Sequence, residues 1–335
     1  MLRYIASLCT FNIIHRALPG WAGWLGRSNL APTDQRRQPG DAERRDMAIT
    51  GTHLSFEFFP PRTADAVLRL ATTRERLAVY QPSFFSVTFG AGGSTRELTL
   101  ETVLATRVAT GIDCAPHISC MGTSKAEISE VLQHYQAAGV RRIVALRGDM
   151  PSGMSSMGEL RYASELVSFI RAATGNAFHI EVAAYPEFHP QAASASADLK
   201  NFQRKVDAGA DSAITQYFYN PDAYFRFLDS CAALGITIPI VPGIMPITNF
   251  TQLMRLSEMC GAEVPRWIVQ RLRDFGDDRA AIRAFGVDVT SALCERLITQ
   301  GAVGLHFYTM NQHDTLEAIL GNLGLRGDHD RPPPA

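Results

Sequence analysis

From residue 54 onward the chain repeats one pattern: a short apolar run, one or two polar residues, then a stretch with helical spacing. The apolar runs are LSFEFF (54–59), FFSVTFG (84–90), CAPHISC (114–120), RIVALRGD (142–149), IEVAAYPE (180–187), SAITQYF (212–218), IPIVPGIMP (238–246) and GLHFYTM (304–310). Each is of strand length and continuous rather than alternating, as strands read when both faces of a parallel sheet are covered. Between them, 123–140 predicts a helix with Thr123 or Ser124 as its cap and Gly139 as its stop. A second is expected over 198–210, and a third over 221–235, with Pro221 in the first turn and Gly235 at the end. Eight strand–helix units in succession predict an α/β fold of the (β/α)₈ barrel type, a single catalytic domain over 47–327.

A doubly wound sheet is the competing arrangement, but its phosphate-binding signature is missing. Gly90-Ala-Gly-Gly93 follows a strand, yet Thr95 stands where the third glycine of GxGxxG belongs, and no GxxxxGK[ST] loop occurs. In a barrel the site lies at the C-terminal ends of the strands. Here those ends carry Glu57, Thr88, His117, Arg147, Asp149, Tyr185, Glu187, Gln216 and Tyr308. So many polar groups at one end of a sheet mark a site. Glu57 is the most conspicuous, a carboxylate among Leu54, Phe56, Phe58 and Phe59 and just ahead of Pro60-Pro61.

Composition narrows the classes. The 335 residues are 46% hydrophobic, and 32 basic residues balance 33 acidic ones, which excludes a nucleic-acid footprint. Six scattered cysteines without a CxxC pair give neither a zinc signature nor a disulfide framework, and predict reduced thiols in a cytoplasmic protein. No apolar run approaches the roughly 20 residues of a membrane span. The first 46 residues are basic and poor in acids before Asp34, and read as a poorly ordered extension ahead of Met47. Residues 328–335 read as a disordered tail.

The stretches SFEFFPPR (55–62), SVTFGAGG (86–93), APHISC (115–120), IVALRGDMP (143–151), VAAYPEFHP (182–190), DLKNFQRKVDAGADSAITQYFY (198–219), VPGIMPITNF (241–250) and HFYTMN (306–311) resemble, in order, the methylenetetrahydrofolate reductases. The chain is similar to their short prokaryotic form. The resemblance implies FAD held without a dinucleotide motif, and ping-pong transfer of hydride from NADH or NADPH through the flavin to methylenetetrahydrofolate, feeding methionine synthesis. It leans toward NADH. The flavin contacts it implies are Thr88, His117, Leu146, Arg147, Gly148, Asp149, Tyr162, Ala163, Ala183, Tyr185, His189, Asp198, Asn201, Arg204 and Lys205, the last two supplying charge for a pyrophosphate. The implied substrate-side residues are Glu57, Gln216, Phe250, Tyr308, Met310 and Gln312.

Opening the substrate's one-carbon bridge to an iminium needs a proton on the departing nitrogen. By resemblance Glu57 is that acid, with its pKa expected to be raised by burial among phenylalanines. Asp149 would favour the cationic intermediate, and Gln216 offers a donor and an acceptor to a pterin. Gln312 departs from the family, which usually has arginine there, so weaker folate or nicotinamide binding is expected. No metal site is expected, since Glu187 and His189 are not spaced for one. The sequence is compatible with a homo-oligomer. Two competing readings are another FAD barrel that oxidises an amine such as proline, and a silent folate- or flavin-binding protein; neither accounts for Glu57.

Overall fold

The computed structural model describes residues 51–89, 96–148, 158–325 and 327. The N-terminal extension, the C-terminal tail, the Gly90–Gly93 loop and Asp149 lie outside the described residues.

Nine strands, all parallel to their neighbours, form one sheet: β1 (His53–Phe58), β2 (Phe84–Val87), β3 (Cys114–Ser119), β4 (Arg142–Leu146), β5 (His179–Ala184), β6 (Ser212–Thr215), β7 (Ile240–Val241), β8 (Gly243–Ile244) and β9 (Gly304–Tyr308). Their order is β7-β6-β5-β4-β3-β2-β1-β9-β8. The single strand expected over 238–246 is two short ones. Pro242 has no N–H to continue a ladder, so Ile240–Val241 pairs with β6 while Gly243–Ile244 pairs with β9. The Pro242 carbonyl still accepts from the His306 amide at 3.0 Å. The two pieces thus seal an eight-membered barrel at its seventh stave.

The intervening helices are α1 (Ala64–Ala78), α2 (Arg96–Thr110), α3 (Lys125–Ala137), α4 (Ala163–Thr174), α5 (Ala195–Asp207), α6 (Pro221–Ala233), α7 (Phe250–Cys260), α8 (Arg266–Asp274), α9 (Arg279–Thr299) and α10 (Asp314–Asn322). Ser124, not Thr123, caps α3, in a capping box with Glu127. Pro221 occupies the first turn of α6 behind the Asn220 cap. Among the described residues no helix is long and apolar enough to cross a membrane, and the five described cysteines are free and buried.

The strand pleat sorts side chains into two layers. Phe56, Phe58, Phe85 and Phe307 are fully buried in the core between strands and helices, where Phe56 stacks on Phe307 at 5.8 Å and Phe58 on Phe85 at 5.2 Å. The other parity fills the barrel interior, where Phe84, Ala115, Val144, Leu146 and Ile214 form a separate cluster.

At the N-terminal end of that interior lies an ionic knot. Arg142 on β4 pairs with Glu181 on β5, whose carboxylate also lies 3.3 Å from His179 Nε2. The guanidinium caps the Phe84 ring, 4.5 Å from its centroid. Glu181 is 2% exposed. Burial would raise its pKa, but His179, Arg142 and Ser212 together lower it. Removing one partner strands a buried charge, so Arg142→Met is expected to cost about 3 kcal/mol, read as a lower urea midpoint at unchanged slope.

Candidate active site

The opposite, C-terminal end of the barrel gathers most of the polar strand ends. Ser55 and Glu57 have the parity opposite to Phe56 and Phe58, and they face the interior. The Glu57 Oε2 lies 3.3 Å from Nε2 of His117 and 3.6 Å from Nε2 of His306. His117 stands on β3, two strands from β1, so this contact passes over the end of β2. His306 is fully buried, and its Nδ1 meets Ser55 Oγ at 2.8 Å. Its ring stacks on Phe84 at 6.0 Å and meets Tyr308 edge-on at 5.4 Å.

This arrangement corrects the expected charge state of Glu57. Burial does push its pKa up, but the facing imidazoles of His117 and then His306 outweigh it, and the pKa falls to about 2. Phe56 and Phe58 point away from the carboxylate. They belong to the outer layer, while imidazoles share the inner one with Glu57.

Around this trio several buried polar atoms have no protein partner. Gln216 is 3% exposed; its Oε1 accepts from the Tyr217 amide at 3.0 Å, and its Nε2 is unpartnered. Thr88 Oγ1 and Ser86 Oγ are likewise buried without partners. Buried donors of this kind are rare in a finished core and mark a place for a polar ligand. The Tyr308 hydroxyl donates to the Thr215 carbonyl at 2.7 Å, across the β7–β8 break. Burial, then the charge of Glu57, push that phenol far above its usual range. Phe250, first residue of α7, and Met310 both pack on the cluster that holds Tyr185, Tyr217, Met245 and Tyr308. Gln312 is exposed, its amide bonded to the Thr309 carbonyl at 3.0 Å.

Beside the mouth runs a cleft lined by Leu146, Arg147, Gly148, Tyr162, Ala163, Ala183, Tyr185, His189, Asp198, Asn201, Arg204 and Lys205. The structure thus brings together twelve of the fifteen residues expected at a cofactor, from β4, β5, α4 and α5. Thr88 and His117 stand in the adjoining mouth. Gly148 allows the turn at the end of β4: it has φ 78°, and a Cβ there would sit 1.7 Å from Ser119 Oγ.

The cleft's electrostatics differ in one detail from the expected pair of cations. Lys205 is turned inward and donates to the Ala183 carbonyl. Burial lowers its pKa to about 8, against the opposing pull of Asp198. Asp198 accepts from the His189 amide at 2.8 Å, and burial raises its pKa. Arg204 is held by Asn201 at 2.8 Å, and Arg147 by Gln191 at 2.5 Å. The N-terminus of α4, at Tyr162 and Ala163, has no side-chain cap, so its amides are available to an anion. Small apolar residues, flanking cations and an open helix end suit an elongated, anionic cofactor.

Glu187 does not join this group. Its Oε2 accepts from the Glu263 amide at 2.8 Å in a neighbouring cleft, and burial pushes its pKa up to about 7. His306, Ser55 and Gln191 are site residues that were not anticipated. On β9, His306 is two residues from Tyr308, so strand parity alone places them on one face. That signal was present within HFYTMN.

Comparison with known proteins agrees with the geometry. The family model described as methylenetetrahydrofolate reductase matches residues 44–324. A 5,10-methylenetetrahydrofolate reductase of Pectobacterium carotovorum subsp. carotovorum is 41% identical over 82% of this chain and 91% of its own length. That of Escherichia coli K12 is 40% identical with the same coverage. A methylenetetrahydrofolate reductase (NADH) of Arabidopsis thaliana is 37% identical, over 48% of its length. Among solved structures, an uncharacterized Clostridium thermocellum protein that binds two copies of 5-methyl-5,6,7,8-tetrahydrofolic acid shares the fold, with a TM-score of 0.58 at 15% identity over 84% of this chain and 97% of that one. With a match over most of its length and relatives of this similarity, the chain belongs to the methylenetetrahydrofolate reductase family.

Proposed function

We propose that this chain reduces 5,10-methylenetetrahydrofolate to 5-methyltetrahydrofolate with hydride from NADH or NADPH carried by FAD, in a ping-pong sequence. The observation that carries this reading is the Glu57 carboxylate between two imidazoles at the barrel mouth, next to the unpartnered Gln216 Nε2. FAD would be held by the cleft residues from Leu146 to Lys205, with its anionic part at Arg147, Arg204 and the open end of α4, and would supply a hydride carrier that both donor and acceptor can reach in turn.

The chain's own residues supply binding and the proton. Gln216 donates to the pterin edge, and Phe250 and Met310 offer flat or flexible apolar surface to its rings. Glu57 is ionised in the open mouth, and Ser55 orients the His306 ring beside it. A pterin that covers the mouth expels water and penalises a bare carboxylate, so Glu57 takes up a proton from solvent as the site is covered. That proton then passes to the departing amine nitrogen. The iminium left behind is a cation, and the carboxylate regenerated at Glu57, with that of Asp149, favours it. An enzyme that oxidises an amine has no comparable use for a proton-loaded carboxylate at this point.

Anaerobic absorption spectra test the reading. The flavin band should bleach with NADH and return with methylenetetrahydrofolate; a colourless protein that cannot be reconstituted with FAD would sink it. Glu57→Gln should keep the flavin and the bleaching step, and lose about 10²-fold or more in the return. The same variant reports on stability. Because the folded pKa of Glu57 lies below its ordinary 4.5, its stabilising contribution is complete above pH 4.5 and disappears as pH falls towards 2. The Tm difference between the parent and Glu57→Gln should therefore narrow across that window. Gln312→Arg should tighten folate binding roughly severalfold by adding a cation for a carboxylate; an unchanged affinity would show that Gln312 does not touch the substrate.

A further inference from the structure

Where the β1–β9 ladder ends, side chains take over from the backbone. The last residues in register are Glu57 and Tyr308. Beyond them Thr309 donates twice to the Glu57 carbonyl, from its amide at 3.3 Å and from Oγ1 at 2.6 Å. Asn311 then occupies both polar groups of Phe59: its Oδ1 accepts from the Phe59 amide at 3.0 Å, and its Nδ2 donates to the Phe59 carbonyl at 2.9 Å. The Asn311 amide returns to Thr309 Oγ1 at 3.0 Å, and its carbonyl accepts from Thr73 Oγ1 of α1 at 3.2 Å.

The turn that makes this possible is strained. Met310 and Asn311 both have φ 54°, and two successive non-glycine residues in the left-handed region persist only where their surroundings hold them. Asparagine tolerates that region better than most residues. Pro60 and Pro61 follow Phe59 and have no N–H, so Phe59 is the last point at which the exit of β1 can be pinned from both sides. The pin falls two residues beyond Glu57.

We propose that Asn311 is a positioning residue for Glu57: its carboxamide, together with Thr309, holds the exit of β1 so that the carboxylate stays between His117 and His306. This rests on the role given to Glu57 above. The other charged or titratable groups that face the carboxylate are those two imidazoles, from β3 and β9, and the Tyr308 phenol of β9.

The test uses the full chain loaded with FAD, and the variants Asn311→Ala, Thr309→Val and Thr309→Ser. Stopped-flow absorbance follows flavin bleaching by NADH and its return with methylenetetrahydrofolate. Carbon-13 NMR follows the Glu57 carboxyl titration without substrate. With Asn311→Ala the return should slow by about tenfold or more, as small misplacements of a reacting group do, while bleaching stays within about twofold. The Glu57 midpoint should move up from about 2 towards 4.5 as the carboxylate leaves the imidazoles. Thr309→Val should shift both readouts in the same sense, and Thr309→Ser, which keeps Oγ, should reverse them. Equal loss in both half-reactions, or an unmoved Glu57 midpoint in the two disruptive variants, would overturn the proposal and reduce Asn311 to a structural tie. If the parent protein bleaches but never recovers with methylenetetrahydrofolate, the substrate reading fails, while the Glu57 midpoint still decides the fate of the clamp.

Discussion

A carboxylate inside a barrel must share its charge or give it up. Glu57 shares it, with His117 from one wall and His306 from another, and the whole mouth is arranged around that contact. The pleat of β1 turns Glu57 inward. His117 reaches it from β3, two residues beyond the position level with Glu57, and Ser55 holds the His306 ring. Each of these is a consequence of strand parity in a closed parallel sheet. β9 is the direct neighbour of β1 and β3 lies one strand beyond β2, so Glu57 takes one imidazole from each side of its own strand.

The barrel therefore carries two polar layers with opposite purposes. At the N-terminal end, Arg142, Glu181, His179 and Ser212 pair among themselves and close the interior. At the C-terminal end, Gln216 Nε2, Thr88 Oγ1 and Ser86 Oγ are left unpaired. Phe84 separates the layers, with the Arg142 guanidinium 4.5 Å from its centroid and the His306 ring stacked on it at 6.0 Å. The first layer spends its hydrogen-bonding capacity on the fold except at Glu181 Oε2, and the second leaves a cluster of such groups for a ligand.

The cofactor cleft follows the same logic outside the barrel axis. It lies where β4 and β5 give way to α4 and α5, so strand ends supply the apolar floor and helices supply charge. Lys205 shows how tertiary context changes a residue's part. By sequence it is a surface cation beside Arg204, whereas in the fold its amine is buried against the Ala183 carbonyl. The open end of α4 and the Arg147 and Arg204 side chains then provide the positive character the cleft presents.

The sequence by itself determined the alternation of strands and helices, the (β/α)₈ class, the place where the 123–140 helix starts to within a residue, Pro221 in the first turn of its helix, and many of the residues that converge on the mouth. These are local signals: the run of apolar residues, the turn glycines and the helix caps act over a few residues, and eight family stretches in order point to one architecture. Several features depended on residues far apart in the chain and were decided only by tertiary structure. The break of the seventh strand at Pro242 depends on which neighbours compete for its two halves. The low pKa of Glu57 depends on His117, on His306 249 positions later, and on a pleat that sends Phe56 and Phe58 the other way. Whether a buried acid is neutral or charged is a property of what stands across the cavity from it, and a string of residues does not say what stands there.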